Sequence, residues 1–487
     1  MKNIFLKTTS YFFLAITLFS CTDYVSETNV DPDLITESDA KNLFQGVLLA
    51  NQFFQTSSNT RDVMIWLNQA NGENRQYVSL NDWNLSTASS FDDSWNQAYV
   101  NCITNAKITA AKATKELNPR LVGAAQVIEA HCMGTITSLW GDAPYSELDI
   151  TGKNLTPKYD SQTAIYASLQ ALLDKAIVNL SATTGKGIPA DKDLYYSGSA
   201  AKWLKLAYSL KARYYLHVKD YTKAKQNALL GINNANDDFK AQFGSGYLQS
   251  FNPFYSFLIY DRDDYMSGDS YAARLLDPST SIYRGNAKTD ESARFEFTYH
   301  TGLYYFSNYE LNFQCDFDWG EGLNGKFGGD SAMPMVTYGE MLLIIAEADA
   351  RTSFSNGLTS YNAYRALLNT GYSIGVDNSG YGVGTFAYSA YDAADFAAGG
   401  MENNSGTALS QQNALIREIF EEKYIYLMGS YESFTDYRRS NNAAQIQLKT
   451  GKAGTPQRFL YPQVEINANP NTPSPVPSIV TKTTVHN

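Results

Sequence analysis

Two short stretches carry carboxylates densely enough to do chemistry: Asp261, Asp263, Asp264 and Asp269 in DRDDYMSGD, and Asp316, Asp318 and Glu321 in CDFDWGEG. Two carboxyls flanking a sugar bond suffice for glycoside hydrolysis, one as acid and the other as base or nucleophile. Oxygen-rich clusters also hold calcium. Neither stretch has the ordered spacing of a calcium loop, and acidic loops are ordinarily solvated. No metal site or catalytic residue is therefore assigned, and calcium is the one cofactor left open. The other signatures of catalysis are missing as well. The chain has no GxSxG, HExxH or phosphate-binding loop, and GYGVG at 380–384 is a glycine cluster without a strand and helix around it. His131 and His217 fall inside helical patterns and read as structural groups. The expectation is a binding protein, not an enzyme.

What it binds is suggested by its aromatics. The chain has 35 Tyr, 25 Phe and 6 Trp, 14% of the total. Tyrosine joins a stacking face to a polar tip, which suits amphipathic ligands such as sugar rings. Two stretches mix aromatics with amides and a guanidinium. In WLNQANGENRQYVSLNDW the candidate ligand contacts are Trp66, Asn71, Arg75, Tyr77 and Trp83. In YHTGLYYFSNYELNFQCDFDW they are Tyr299, Tyr304 and Trp319, with Tyr305 beside them. Trp95, Trp140 and Trp203 lie on helical stripes and are assigned to the core. A formal net charge of −11 argues against nucleic acid, which needs a basic face. Apart from Cys21, the cysteines are Cys102, Cys132 and Cys315, too few and too scattered for a disulfide framework or a zinc site.

The elements that must position these residues are mostly helical. Asn118 before Pro119 is a helix cap followed by proline at the first helical position, and Leu121, Ala125, Ile128, Cys132, Ile136 and Leu139 continue one apolar face. Tyr166 to Leu180 and Trp203 to Tyr214 repeat the pattern. After Asp220, the positions Tyr221, Ala224, Ala228 and Gly231 are spaced like the second helix of a tetratricopeptide pair. Met341–Ala346 is apolar on every side and predicts a buried helix. Ile416, Ile419, Phe420, Tyr424 and Leu427 form the last strong helical face, with Arg438 and Arg439 expected beyond its end. At the N-terminus, Lys2 and Lys7 precede an apolar run from Tyr11 to Phe19, the order of a secretion signal and too short to span a membrane. Leu18-Phe19-Ser20-Cys21 fits a loose lipobox, making Cys21 the expected lipid attachment site.

Several segments in order resemble the SusD/RagB family of surface lipoproteins, in its SusD-like branch. They are Asn29-Val30-Asp31-Pro32, SWNQAYVNCITNAKI, WGDAPYSEL at 140–148, YDSQTAIYASLQALLDKAI at 159–177, and DLYYSGSAAKWLKLAYSLKARYYLH at 193–217. YGEMLLIIAEA at 338–348, IREIFEEKYIYLMGSYESFTDYRRS at 416–440 and RFLYPQVEINANPN at 458–471 complete the series. Phe434 stands where the branch usually has Trp, and Asp277-Pro278-Ser279 replaces Asp-Pro-Arg. The resemblance implies a mainly α fold, a tetratricopeptide-like helix-pair scaffold with long irregular loops and short strands. It implies a signal over 1–20, a lipidated tether over 21–37 and a single domain over 38–487. Within that domain the helical scaffold covers about 38–232, 335–369 and 411–440; loop-rich ligand-side segments cover about 233–334 and 371–410; an extended tail runs over 462–487. By the same resemblance the protein is held in the outer membrane through acylated Cys21 and faces the cell exterior. There it would capture glycan for a SusC-like TonB-dependent transporter, the alternatives being peptide cargo or, more remotely, a surface glycosidase. Arg438 and Arg439 are expected to satisfy helix-end carbonyls or to pair with buried acids such as Glu347.

Overall fold

Most of the long helices begin where a short polar side chain takes up free backbone N–H groups. The computed structural model describes residues 38–83, 86–244, 250–301, 307–313, 325–374, 384–404, 408–449 and 455–486. Helices α1 (Ala40–Gln55) and α2 (Asn59–Trp66) come first, then α3 (Thr104–Lys115) and α4 (Pro119–Trp140). Asn118 caps α4, its side-chain oxygen accepting from the Leu121 N–H at 3.2 Å. Helices α5 (Gln162–Leu180), α6 (Ala200–His217) and α7 (Tyr221–Ala228) open on Ser161, Ser199 and Asp220 in the same way. Thr337 and Ser353 cap α8 (Tyr338–Thr352) and α9 (Phe354–Leu368). Ser410 caps α10 (Gln411–Tyr426), and α11 (Tyr431–Ser440) follows it.

Short connections make α3 pack with α4, α6 with α7 and α8 with α9; α4 also packs with α5 across the longer stretch 141–161, and α10 lies against α8 and α9. This is the expected mainly α, helix-pair scaffold. The strands are two to four residues long and form isolated antiparallel pairs, among them Phe239–Ala241 with Met333–Val336 and Tyr299–Thr301 with Tyr309–Leu311. Residues Ala40–Asn487 cluster as one unit. Among the described residues no helix is long and apolar enough to cross a membrane.

Buried ion pairs tie the helices together. Arg213 of α6 grips Glu340 of α8 with both ends of its fork, at 2.7 and 2.6 Å. Arg439 of α11 holds Glu347 of α8 likewise, at 2.7 and 2.5 Å, and Lys423 of α10 reaches the same carboxylate at 2.5 Å. Burial alone would raise the Glu347 carboxyl, but the Arg439 and Lys423 charges outweigh it and hold it below the usual carboxylate range. Arg284 faces Glu291, Glu418, Glu421 and Glu422 at once.

Two local expectations are corrected. Arg438 and Arg439 lie inside α11, because the chain breaks at Leu427–Ser430 and re-enters a helix that carries both. Arg438 still satisfies a helix end, donating to the carbonyl of Ser138 near the end of α4 at 2.9 Å. The tail is not wholly extended, since Gln463–Ala468 is a short helix. Trp95, Trp140 and Trp203 are buried, and Trp140 sits edge-on to Trp95 at 5.4 Å. Cys102 and Cys132 are free, buried thiols, while Cys21 and Cys315 lie outside the described residues.

Candidate ligand-binding face

The stretch after α2 is built as a braced loop. Asn71–Gly72 pairs antiparallel with Met266–Ser267, and a 3-10 helix follows over Arg75–Asp82. The Gly72 N–H donates to Asn81 Oδ1 at 3.0 Å and Asn81 Nδ2 donates back to the Gly72 carbonyl at 2.8 Å, which closes the loop on itself. A side chain at Gly72 would overlap the Tyr77 carbonyl, so the close approach requires glycine. Lys449 enters from below, its Nζ donating to the Ala70 carbonyl at 2.9 Å, to Asn71 Oδ1 at 2.7 Å, and to Asn81 Oδ1. Burial pushes the Lys449 amine down to about 7, against the opposing pull of the Glu73 and Asp269 charges.

The other half of the face comes from residues 251–265. Phe257–Asp261 forms a π-helical turn closed by the Arg262 N–H donating to the Phe257 carbonyl at 2.8 Å. Turns of this kind break the regular direction of side chains and recur at functional sites. Here the turn places Phe257 under Tyr77, with ring centroids 4.9 Å apart and stacked, and leaves Tyr260 54% exposed. Tyr260 stacks on Phe251 at 5.9 Å, while two guanidiniums lie over the Tyr265 ring, Arg75 at 5.9 Å and Arg262 at 5.5 Å. Arg61 supports this floor from behind, 4.1 Å over Phe257 and donating to the Tyr77 hydroxyl at 3.2 Å. Asn74 pins the rim by donating to the Asp264 carbonyl at 2.8 Å.

The sequence candidates therefore separate. Asn71, Arg75 and Tyr77 come together here with distinct roles. Arg75 is exposed, Tyr77 offers only a ring edge, and the Asn71 amide is held between Glu73, at 2.6 Å, and Lys449. Trp83 ends the 3-10 helix in a left-handed conformation with its ring mostly buried. Trp66 is corrected from ligand contact to core: it is 1% exposed and packs edge-on against Phe434 and Phe459, both at 5.7 Å. Tyr299 is likewise sealed, its hydroxyl donating to the Gln69 carbonyl at 2.7 Å. Tyr304, Tyr305 and Trp319 lie outside the described residues, as do Asp316, Asp318 and Glu321. Of the remaining acids, Asp264 and Asp269 accept hydrogen bonds from Asn74 and Asn308. No group of three His, Cys, Asp or Glu among the described residues could hold a metal ion. Sequence reasoning missed Tyr260. The available signal was the run Phe251, Phe254, Tyr255, Phe257, Tyr260 and Tyr265, too many rings for one side of a short segment to bury.

A helix-pair scaffold that presents aromatic and guanidinium groups on braced loops belongs to the class of binding proteins built on tetratricopeptide-like frames. The family model described as "starch-binding associating with outer membrane" (SusD-like) matches residues 32–462, and the chain belongs to this SusD-like family. Solved structures agree on the fold. A SusD/RagB family protein from Bacteroides thetaiotaomicron is 21% identical, with a TM-score of 0.63 over 89% of this chain and 95% of that one. A SusD homologue from Bacteroides fragilis is 17% identical, with a TM-score of 0.63 over 92% of this chain and 99% of that one. A chitin-binding SusD homologue from Flavobacterium johnsoniae is 15% identical, with a TM-score of 0.61 over 91% and 98%. No curated protein matches the chain.

Proposed function

We propose that the protein captures oligo- or polysaccharide at the cell surface, without cleaving it, and delivers it to a SusC-like TonB-dependent outer-membrane transporter. In this reading acylated Cys21 anchors the chain in the outer membrane with its body facing outward, and no cofactor is needed. The observation that carries the reading is the exposed Tyr260 on its π-helical turn, two residues before Arg262, whose guanidinium, like that of Arg75, lies over the Tyr265 ring. A ring face with guanidinium donors at its side meets a sugar's C–H face and its hydroxyls together. The family's description and the chitin-binding homologue support the same ligand class.

The test is affinity electrophoresis of the mature protein through a panel of neutral polysaccharides, with a peptide digest in parallel and reducing ends assayed over time. Retardation by at least one glycan, weakened in Tyr260→Ala and Arg75→Ala, is expected. Capture of peptides with no glycan retarded would transfer the reading to peptide cargo. Reducing ends accumulating with time would make the protein a glycosidase.

A further inference from the structure

A second groove lies along the exposed side of α1, lined by none of the residues that carry the first face. It is open, encloses about 490 Å³, and runs from Asn42 to Phe53. At 1.5 Å per residue that is about 16 Å of helix. Helix α1 itself supplies the apolar lining, Leu43, Leu49 and Phe53, with Leu49 40% and Phe53 49% exposed. The facing wall is amide: Gln97, Asn101 and Asn105, four residues apart, on the π-helical turn Gln97–Ile103 and the start of α3. Between the walls the floor is Gly46, where an added Cβ would meet nothing within 4 Å. Glycine inside a helix costs about 1 kcal/mol against alanine. Folding does not require it here, since no neighbouring atom needs the space. What the bare backbone provides is depth in the groove.

The lining identifies the occupant. None of the residues around this groove is charged, in a chain whose residues are 18% charged and whose net charge is −11. A charged ligand would find no counter-ion in it. A second copy of the chain would have to approach against the charge of both molecules. The amide nitrogens of the far wall are already engaged: Gln97 Nε2 donates to the Ala50 carbonyl at 3.3 Å, Asn101 Nδ2 to Gln97 Oε1 at 2.7 Å, and Asn105 Nδ2 to the carbonyls of Val100 and Asn101. These bonds fix the wall and leave its side-chain carbonyls of Asn101 and Asn105 as acceptors for hydroxyl donors. An apolar wall with a ring on one side and neutral acceptors on the other fits a chain with C–H faces and hydroxyl edges. We infer that the groove over Gly46 is a second glycan-contact site, taking a short run of a neutral oligosaccharide. This rests on the glycan reading above and adds to it. Two sites on one body hold a polysaccharide long enough to reach both more tightly than either site holds a short fragment, through effective concentration.

The decisive variant is Gly46→Leu. It fills the trough from a Cβ position that meets nothing within 4 Å, and replaces a poor helix former with a good one, so its unfolding temperature should not fall. Phe53→Ala removes the ring, and Arg75→Ala impairs the first face. Each is run in affinity electrophoresis against the neutral polysaccharide that retards the wild type, and in titration calorimetry with its oligosaccharides. Gly46→Leu and Phe53→Ala should weaken polysaccharide retention while leaving the Arg75-dependent binding of short fragments in place. Loss of the Phe53 ring should cost roughly two- to tenfold. Wild-type retention in both groove variants, with only Arg75→Ala weakened, overturns this inference and spares the proposed function. No retention of the wild type by any glycan overturns both. A groove that Gly46→Leu closes to an uncharged peptide but not to glycan, or a concentration-dependent dimer that Gly46→Leu dissolves, would also overturn the glycan assignment.

Discussion

The α8–α10–α11 side of the molecule and the face around Tyr265 use the same residue types to opposite ends. On the first, arginines are sealed in: Arg439 against Glu347 and Asp436, and Arg213 against Glu340. On the second, the exposed Arg75 and Arg262 lean on the buried Tyr265 ring, and among the described residues neither forms an ion pair with a carboxylate. A guanidinium paired in the interior fixes geometry, and one leaning on a ring at the surface keeps donors available to a ligand. The difference teaches that residue type does not assign function in this chain. Burial and partner do. Substitutions on the two sides should therefore separate stability from binding, and this is where the comparison can be broken.

The largest effect is expected at the sealed end. Arg439→Ala leaves Glu347 buried with Lys423 and a half-exposed Arg351 as its cationic neighbours, and should cost about 3–5 kcal/mol in denaturant unfolding. Glycan affinity of the folded fraction should be unchanged. A cost under about 1 kcal/mol would mean that the pair is not the tie between α8 and α11 that its geometry indicates.

Tyr260→Ala and Trp66→Ala form the next contrast. Trp66 fills core space against Phe434 and Phe459, so its truncation belongs with the stability losses of large buried rings, about 3–5 kcal/mol, without a specific effect on binding. Tyr260 is exposed, so its truncation should leave stability within about 0.5 kcal/mol and weaken glycan retention by the worth of one stacking ring, about 0.5–1.5 kcal/mol. Equal effects of the two variants in both assays would dissolve the distinction between the two regions.

That pair also shows how far the sequence could be read. The scaffold was legible because helix starts have local causes: Asn118 before Pro119 and Asp220 before Tyr221 both cap helices as their chemistry requires. The Arg439–Glu347 pair was legible because a buried acid in an apolar helix needs a cation. The binding face was legible only in part. Trp66 reads as a ligand contact from the polar stretch it opens, yet Val63-Met64-Ile65 before it continue a buried helix, and the destination of an aromatic at a helix end depends on what covers it. Tyr299 was misplaced for the same reason, since its strand runs inward beneath Gln69. Tyr260 was missed because a π-helical turn has no sequence period to reveal which ring it turns outward. Arg75 was found, but its setting beside Tyr265 and Arg262 depends on a strand pairing between residues nearly two hundred positions apart.

A further predicted effect lies at Lys449, which sits half-buried under the binding face. Its amine is pushed down to about 7 in the folded protein by burial, whereas an unfolded lysine titrates near 10.4. Between those values the unfolded chain binds the proton that the folded chain has released, so stability must rise with pH across the window from about 7 to about 10. Below about 7 both states are protonated and the slope from this group vanishes. The pH dependence of unfolding should therefore be compared between wild type and Lys449→Met, because the difference isolates this lysine from other groups titrating in the same range. The wild type should gain stability relative to the variant as pH rises through the window. Since Lys449 holds Asn71 and Asn81, the brace of the loop carrying Arg75, glycan affinity should follow its state only through loop order. A variant curve parallel to the wild type would show that the amine is solvated and the loop braced by Asn81 and Gly72 alone.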